Sequence, residues 1–289
     1  MVDSDPSLPA LDQIGYEAAD LEAIRHAIHA PDGLVLVVGP AGCGRSTALY
    51  AMLGELDPLQ RTIWTIESTF LRPVPRWRQV QVAPPRNQRG ERRYERSFCQ
   101  TLRCAGGAIL VENIATAKMA QLAIQAAQAT HLVLSTMSLG RAASVIAELR
   151  RLRVTASQAI DGLSLVIGQR LIGRLCPACS IADDREAVRR ALAAAMNTWL
   201  AGRAVHPRRA ASSGCEVCRH GGYQGSVLAY ELIEIDSRAR SVMASSIDPV
   251  ELERALLADG RSIWDRGLKQ VADGLTSLDA LQAAVRQSR

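Results

Sequence analysis

One segment constrains this chain more than any other: Gly39-Pro-Ala-Gly-Cys-Gly-Arg-Ser-Thr47. It satisfies G-x-x-x-x-G-K-[ST] at Gly39, Gly44 and Ser46 and departs from it at Arg45. The apolar run Leu34-Val-Leu-Val-Val38 precedes it, and an amphipathic stretch from Ser46 to Leu56 follows. Strand, glycine loop and helix in this order aim successive backbone N–H groups and a helix N-terminus at phosphate oxygens. The candidate nucleotide-binding set is therefore Gly39, Pro40, Ala41, Gly42, Cys43, Gly44, Arg45, Ser46 and Thr47. The Ser46 hydroxyl is suited to Mg²⁺. Arg45 keeps the positive charge of the usual lysine, but its guanidinium is longer, planar and forked, so the exchange is not conservative. Phosphate binding is expected to survive it better than well-aligned hydrolysis. The alternative is a glycine turn without a ligand.

The rest of the first half fits an α/β protein. Helical character over 9–30 ends at the turn Pro31-Asp32-Gly33. Arg61–Ile66, Ala108–Val111 and His131–Thr136 read as further strands, with helical periodicity over Ala117–Gln128 and Ala142–Arg153. Strands alternating with helices predict a parallel sheet with the glycine loop at a strand's carboxyl end. No internal repeat or low-complexity tract is present.

Seven cysteines, an odd number, argue against a disulfide framework. Four stand as Cys176-Pro-Ala-Cys179 and Cys215-Glu-Val-Cys218, and paired C-x-x-C knuckles are the signature of structural Zn²⁺. A redox or chance pairing is the alternative. The knuckles are separated by a predicted helix over 184–201 and a loop over 202–214. Cys43, Cys99 and Cys104 read as packing residues, with Cys43 a candidate reactive thiol. Four regions are expected: a helical lead-in at 1–30, a nucleotide-binding core at 31–175, a zinc element at 176–228 and helices over 229–289. Asp248–Ala258 and Leu278–Val285 are the clearest of these helices.

The net charge is +5 among 289 residues. Arg72, Arg76, Arg78, Arg86, Arg89, Arg92, Arg93 and Arg96 crowd one stretch that also holds Pro73, Pro75, Pro84 and Pro85. The prolines predict a loop or edge rather than a helix. It is read as a solvated basic loop, as a phosphate-facing loop, or as a surface for nucleic acid or acidic lipid. No aromatic–basic interleaving or recognition helix supports the nucleic-acid reading. No apolar run reaches the ~20 residues of a membrane span. The acidic N-terminus lacks a secretion pattern, so a cytoplasmic location is expected.

Taken in order, several stretches resemble the secretion ATPases of type II secretion and type IV pilus assembly. They are the glycine loop with Leu49-Tyr50-Ala51, then Thr65-Ile66-Glu67, then Ile124-Gln125-Ala126-Ala127 ahead of His131-Leu-Val-Leu-Ser-Thr136. Gln169-Arg170-Leu171 leads into the first knuckle, and Cys218-x-His220-x-Gly222-Tyr223-x-Gly225 leads to Glu231-Leu232. Gly267-Leu268 and Gly274-Leu275-Thr276-Ser277-Leu278 complete the series. The resemblance runs from about residue 11 to 285. It implies RecA-like P-loop cores in a homo- or hetero-hexameric ring, with ATP or ADP and Mg²⁺ between subunits and an inner-membrane platform protein as partner. Retraction motors of the family lack the four cysteines, so the assembly or export branch fits better. The family usually carries further N-terminal domains, whereas the first strand here begins at Leu34.

Against that pattern the catalytic boxes are eroded. After Glu67 the family's Asp-Pro-x-Glu reads Ser68-Thr69-Phe70-Leu71. Leu-Arg-x-Asp-Pro-Asp reads Leu102-Arg103-Cys104-Ala105-Gly106-Gly107, and Gly-Glu-Ile-Arg-Asp reads Glu112-Asn113-Ile114-Ala115-Thr116. The histidine box keeps His131, but its second histidine is Ser138. The candidate catalytic residues are Glu67, Glu112 and His131. Glu112 stands one residue early, and one residue reverses a side chain on a strand; it can substitute only if the strand ends at Val111. Solvent-facing carboxylates, and a core role for His131 in place of a γ-phosphate sensor, are the alternatives. The expectation is a nucleotide-binding motor subunit with weak hydrolysis. Its rivals are a non-hydrolysing subunit of such a machine and a nucleic-acid-binding zinc protein.

Overall fold

The computed structural model describes residues 8–83, 87–103, 106–246, 248–257 and 260–286. In chain order the elements are α1 (Ala18–His29), β1 (Gly33–Val38), α2 (Arg45–Gly54), β2 (Ile63–Glu67), β3 (Arg78–Gln81) and α3 (Gln88–Thr101). Then come β4 (Gly107–Val111), α4 (Ala117–Ala129), β5 (His131–Met137), α5 (Val145–Arg151), α6 (Ala156–Gly162) and β6 (Leu163–Leu175). The remainder is β7 (Ile181–Ala182), α7 (Glu186–Met196), β8 (Arg208–Arg209), β9 (Tyr223–Glu234), α8 (Ser237–Ser245), α9 (Pro249–Leu256), α10 (Ile263–Ala272) and α11 (Leu278–Arg286).

Seven strands form one sheet in the order β3-β2-β4-β5-β1-β6-β9, parallel except for β9, which runs antiparallel to β6. Every residue of β1 is buried, as expected of a central parallel strand covered on both faces. Its side chains alternate. Leu34, Leu36 and Val38 join a core with α3, α4, α5, α6, α8 and α9, while Val35 and Val37 join one with α1 and α2. A third core gathers Ile172 and Ala229 with α7, α10 and α11. No helix among the described residues is long and apolar enough to cross a membrane.

Several expectations need correction. The arginine-rich stretch contains a helix, α3, because every proline in it precedes Asn87, whose side chain caps the helix by accepting from Gly90 N. Tyr94 and Phe98, one turn apart, are buried, while Arg89, Arg92, Arg93 and Arg96 are exposed. The same stretch also supplies β3, the edge strand of the sheet, in keeping with the loop-or-edge expectation. Pro84, Pro85 and Arg86 lie outside the described residues, as do Cys104 and Ala105 of the eroded box. The expected helix over 9–30 begins only at Ala18, after Gly15 at φ 106°. The helix over Ala142–Arg153 splits into a 3₁₀ turn at Ala142–Ser144 and α5.

The largest difference is β6 with β9. After Gly168 pairs with Val38 of β1, β6 continues beyond the sheet, paired only with β9 as far as Leu175 opposite Tyr223. This two-stranded arm carries the cysteine element at its tip. The expected division at 228/229 therefore cuts through β9, a strand of the main sheet. The C-terminal helices are not one unit either, since α8 and α9 cover the sheet while α10 and α11 pack with α7.

Candidate functional site

The glycine loop leaves the carboxyl end of β1 and turns into α2 through Gly44, which caps the helix at φ 87° and ψ 16°. Gly42 also has positive φ, 77°, a region glycine enters without strain. Gly39 is required for a different reason. A Cβ there would sit 2.4 Å from Cys43 Sγ and 2.6 Å from the Gln169 carbonyl oxygen. Ala41, Gly42 and Ser46 face solvent at the loop's mouth. The loop is thus formed in the folded chain and open to a ligand. Cys43 is buried, and burial raises its thiol pKa, so the reactive-thiol reading of Cys43 is not supported. The Arg45 guanidinium donates to Ser138 Oγ at 3.0 Å, which brings the position of the missing second histidine to the loop.

Gln169, Arg170 and Glu231 belong to this site, although only the family resemblance drew attention to them. Gln169 Nε2 donates to the Cys43 carbonyl oxygen at 2.8 Å, and Arg170 bonds the carbonyls of Gln169 and Gly140. The available signal was chemical: two adjacent polar residues inside the apolar strand 163–175, both now buried. Glu231, opposite Gly168 on β9, accepts the Ala142 N–H at 2.5 Å. Burial pushes its carboxyl up to about 7 from an ordinary 4.5, with the Glu253 charge acting the same way. The folded chain thus holds this proton more tightly than the unfolded chain. The associated stabilisation is complete below the ordinary value and is lost as pH rises through about 7. Glu231→Gln should flatten that pH dependence and raise stability near pH 8 by up to about 3 kcal/mol, at 1.36 kcal/mol per pKa unit. Denaturant midpoints at about pH 5 and about pH 8 check this; the same loss in variant and parent would contradict it.

Glu67 ends β2 and is buried, with Tyr50 Oη of α2 donating to its Oε1 at 2.8 Å. Burial raises its pKa, and the nearby Glu112 charge adds to the shift. β4 ends at Val111, so the condition set for Glu112 is met: it lies just past the strand. Its carboxylate, however, takes both the N–H and the hydroxyl of Ser68, at 2.5 and 2.8 Å. Ser68 follows β2, and in the order β2-β4-β5-β1 that direction leads away from the glycine loop. The lateral gap from β4 to β1 is two strand spacings, roughly 10 Å. A cleft lined by Ser68, Tyr94, Glu112, Asn113 and Thr116 opens there.

His131 is not brought to the site. It opens β5 opposite Gly107, whereas Met137 at the far end of β5 lies opposite Val38. Six residues of strand, roughly 20 Å, separate it from the loop. His131 is buried at the amino end of β5, too far from the glycine loop of its own subunit to sense a γ-phosphate there.

The four cysteines converge. Cys176 follows β6 and Cys218 lies four residues before Gly222, whose carbonyl accepts the Cys176 N–H at 3.0 Å. Pairing of β6 with β9 thus closes the long excursion and brings the knuckles face to face. All four Sγ atoms lie within 4.8 Å of one another, and three separations are 3.8 Å. A tetrahedron with metal–sulfur bonds of about 2.3 Å has edges of about 3.8 Å, so the donor set fits Zn²⁺. Backbone N–H groups of Cys215 and Gly222 both point at Cys218 Sγ at 3.2 Å, an arrangement that favours the thiolate and lowers its pKa.

A mostly parallel α/β sheet with a glycine loop on an interior strand, extended by an arm ending in four cysteines, defines a P-loop NTPase fold. A profile described as "Type II/IV secretion system protein" matches residues 2–283. The chain belongs to this family. The type II secretion system protein E of Aeromonas hydrophila is 31% identical over 282 residues, covering 96% of this chain and 53% of that protein. The type II secretion system ATPase E of Vibrio cholerae is 30% identical, covering 100% of this chain and 55% of that protein. The chain thus spans about half the length of the curated relatives it matches. Among solved structures, the Legionella pneumophila ATPase DotB has a TM-score of 0.62 at 17% identity, covering 97% of this chain and 66% of DotB. The pilus retraction motor PilT with bound ADP has a TM-score of 0.62 at 19% identity, covering 96% and 67% respectively. At these identities the structures establish the fold.

Proposed function

We propose that the chain binds ATP and ADP with Mg²⁺ at Gly39–Thr47, holds structural Zn²⁺ at its four cysteines, and hydrolyses ATP slowly. On this reading it is a subunit of a homo- or hetero-hexameric ring on the cytoplasmic side of the inner membrane. It passes nucleotide-driven movement to the platform protein of a secretion or pilus-assembly machine. Mg²⁺ at Ser46 would neutralise charge on the β- and γ-phosphate oxygens. The chain's own residues supply the N–H cradle and the Arg45 charge. The observation that carries slow hydrolysis is the Glu112 carboxylate, which is engaged by Ser68 and turned away from the loop. Asn113, at the position of the family glutamate, cannot accept a proton from water. Loss of one well-placed catalytic group costs on the order of 10²–10³ in rate.

A second reading, a non-hydrolysing subunit beside an intact relative, draws on the same erosion together with Arg45. Calorimetry with ATP and ADP beside a steady-state hydrolysis assay separates the two. Turnover at roughly 1 s⁻¹, within the usual enzyme range, would contradict both. Arg45→Ala should weaken ATP binding by about 1–3 kcal/mol through loss of a charge-assisted phosphate contact. Arg45→Lys with Asn113→Glu should raise turnover more than the two single changes together, because groups acting on one transition state are not additive. Strict additivity would show that Arg45 and Asn113 act independently on the rate.

A further inference from the structure

A chain of buried side chains runs from helix α10 to the glycine loop. At its far end the Arg266 guanidinium donates to Asp20 Oδ2 at 2.5 Å, and both residues are almost fully buried. Tyr230 Oη donates to the same Asp20 oxygen at 2.7 Å, and the Arg266 guanidinium stacks 3.7 Å above the Tyr230 ring. The Tyr230 ring packs edge-on against Tyr16, with centroids 4.8 Å apart and planes at 88°. Tyr16 Oη then donates to Gln169 Oε1 at 2.9 Å. The Gln169 amide, held by that bond, donates through Nε2 to the Cys43 carbonyl oxygen at 2.8 Å.

Each step restricts the next. With its Oε1 taken by Tyr16, Gln169 has its amide nitrogen free to face the loop, so the Tyr16 hydroxyl fixes which end of the side chain meets Cys43. Cys43 lies between Gly42 and Gly44, both at positive φ. Fixing its carbonyl orients the peptide to Gly44, whose N–H belongs to the phosphate cradle. At the other end, a buried ion pair repays its desolvation only with very good geometry. Here the pair has the Tyr230 hydroxyl and ring as added partners, so Tyr230 has little freedom to shift without disturbing Asp20 and Arg266.

We propose that Tyr16 and Gln169 are positioning residues of the glycine loop, and that the Asp20–Arg266 pair, acting through Tyr230, links the placement of α10 to nucleotide affinity. This rests on the nucleotide-binding reading above. A nucleotide that favours the ordered loop favours the seated α10, and displacement of α10 by a partner weakens nucleotide binding by the same factor.

The test uses the full chain with ATP and ADP. The unmodified protein is titrated first; absence of binding removes the nucleotide reading and this proposal together. With binding established, Tyr16→Phe keeps the ring contact and removes only the hydroxyl. It should raise the ADP Kd about three- to tenfold. Gln169→Leu should raise it at least as much, and the double variant should lose little more than Gln169→Leu alone, since both act through one bond. Hydrogen exchange gives a readout that a merely structural role would not move. In the unmodified protein ADP should protect α10 amides around Arg266 as well as the loop. In Tyr16→Phe, at saturating ADP, protection of the loop should remain while the added protection of α10 shrinks. Arg266→Lys, which keeps the charge but not the planar stack, should raise the ADP Kd without touching the loop. An unchanged Kd in Tyr16→Phe, or α10 protection indifferent to ADP in the unmodified protein, overturns the proposal and leaves nucleotide binding intact.

Discussion

Gly44→Val should abolish nucleotide binding, raising the ATP Kd by more than about 100-fold. Gly44 sits at φ 87°, where a β-branched residue costs about 1–3 kcal/mol in backbone strain. A Cβ at this position would lie 3.3 Å from Gln169 Nε2 and 3.5 Å from Leu171 Cδ1. The valine methyls therefore have no room on the β6 side and are pushed toward the space phosphate must enter. Gly42→Ala separates the two contributions. It meets nothing within 4 Å but has φ 77°, so it should cost about 1 kcal/mol in stability and leave binding largely in place. Calorimetry and thermal unfolding on both variants check this. Near-normal ATP affinity in Gly44→Val would mean that phosphate is not held by this loop.

Cys176→Ser should remove zinc and loosen the arm. Purified protein is expected to carry about one zinc per chain. Loss of one of four ligands should weaken metal binding by more than about 100-fold, since even partners that only support a ligand are worth roughly 10–100-fold. The effect should be spatially uneven. The cysteines join the ends of β6 and β9 beyond the sheet, and α7 lies within the excursion they close. Chelation should therefore expose amides of α7 and the outer halves of β6 and β9 to hydrogen exchange before those of β1 and β5. Metal-free protein prepared under reducing conditions with an undisturbed arm would refute the zinc assignment.

The parts of the site that were legible beforehand are those made by consecutive residues. Strand β1, the glycine loop and α2 form one local unit, and its residue types dictate its backbone through positive φ and close approach. The knuckles are also local, each setting two thiolates one tetrahedral edge apart. Helix α3 was hidden because prolines before Asn87 coloured the whole basic stretch, although Tyr94 and Phe98 already had helical spacing. β6 was hidden for the opposite reason: Gln169 and Arg170 interrupt an apolar run, and their burial is intelligible only once the loop lies beside them.

The positions of the candidate catalytic residues follow from register and strand order, which are long-range quantities. His131 belongs to a strand whose other end reaches the site, and the pairing of β5 with β1 places the histidine at the wrong edge. Glu112 falls just past its strand as rescue required, yet the order β2-β4-β5-β1 gives its carboxylate Ser68 as a partner on the side away from the loop. The glycine loop between strand and helix, the two cysteine knuckles and the alternating α/β core could be read from the residues alone, because each follows from neighbours along the chain. Only the tertiary structure shows where Glu67 and Glu112 lie relative to the glycine loop, which side chains pack behind that loop, and how two distant knuckles meet. Each of these depends on which strands pair, and pairing is chosen by burial of both faces of the sheet at once.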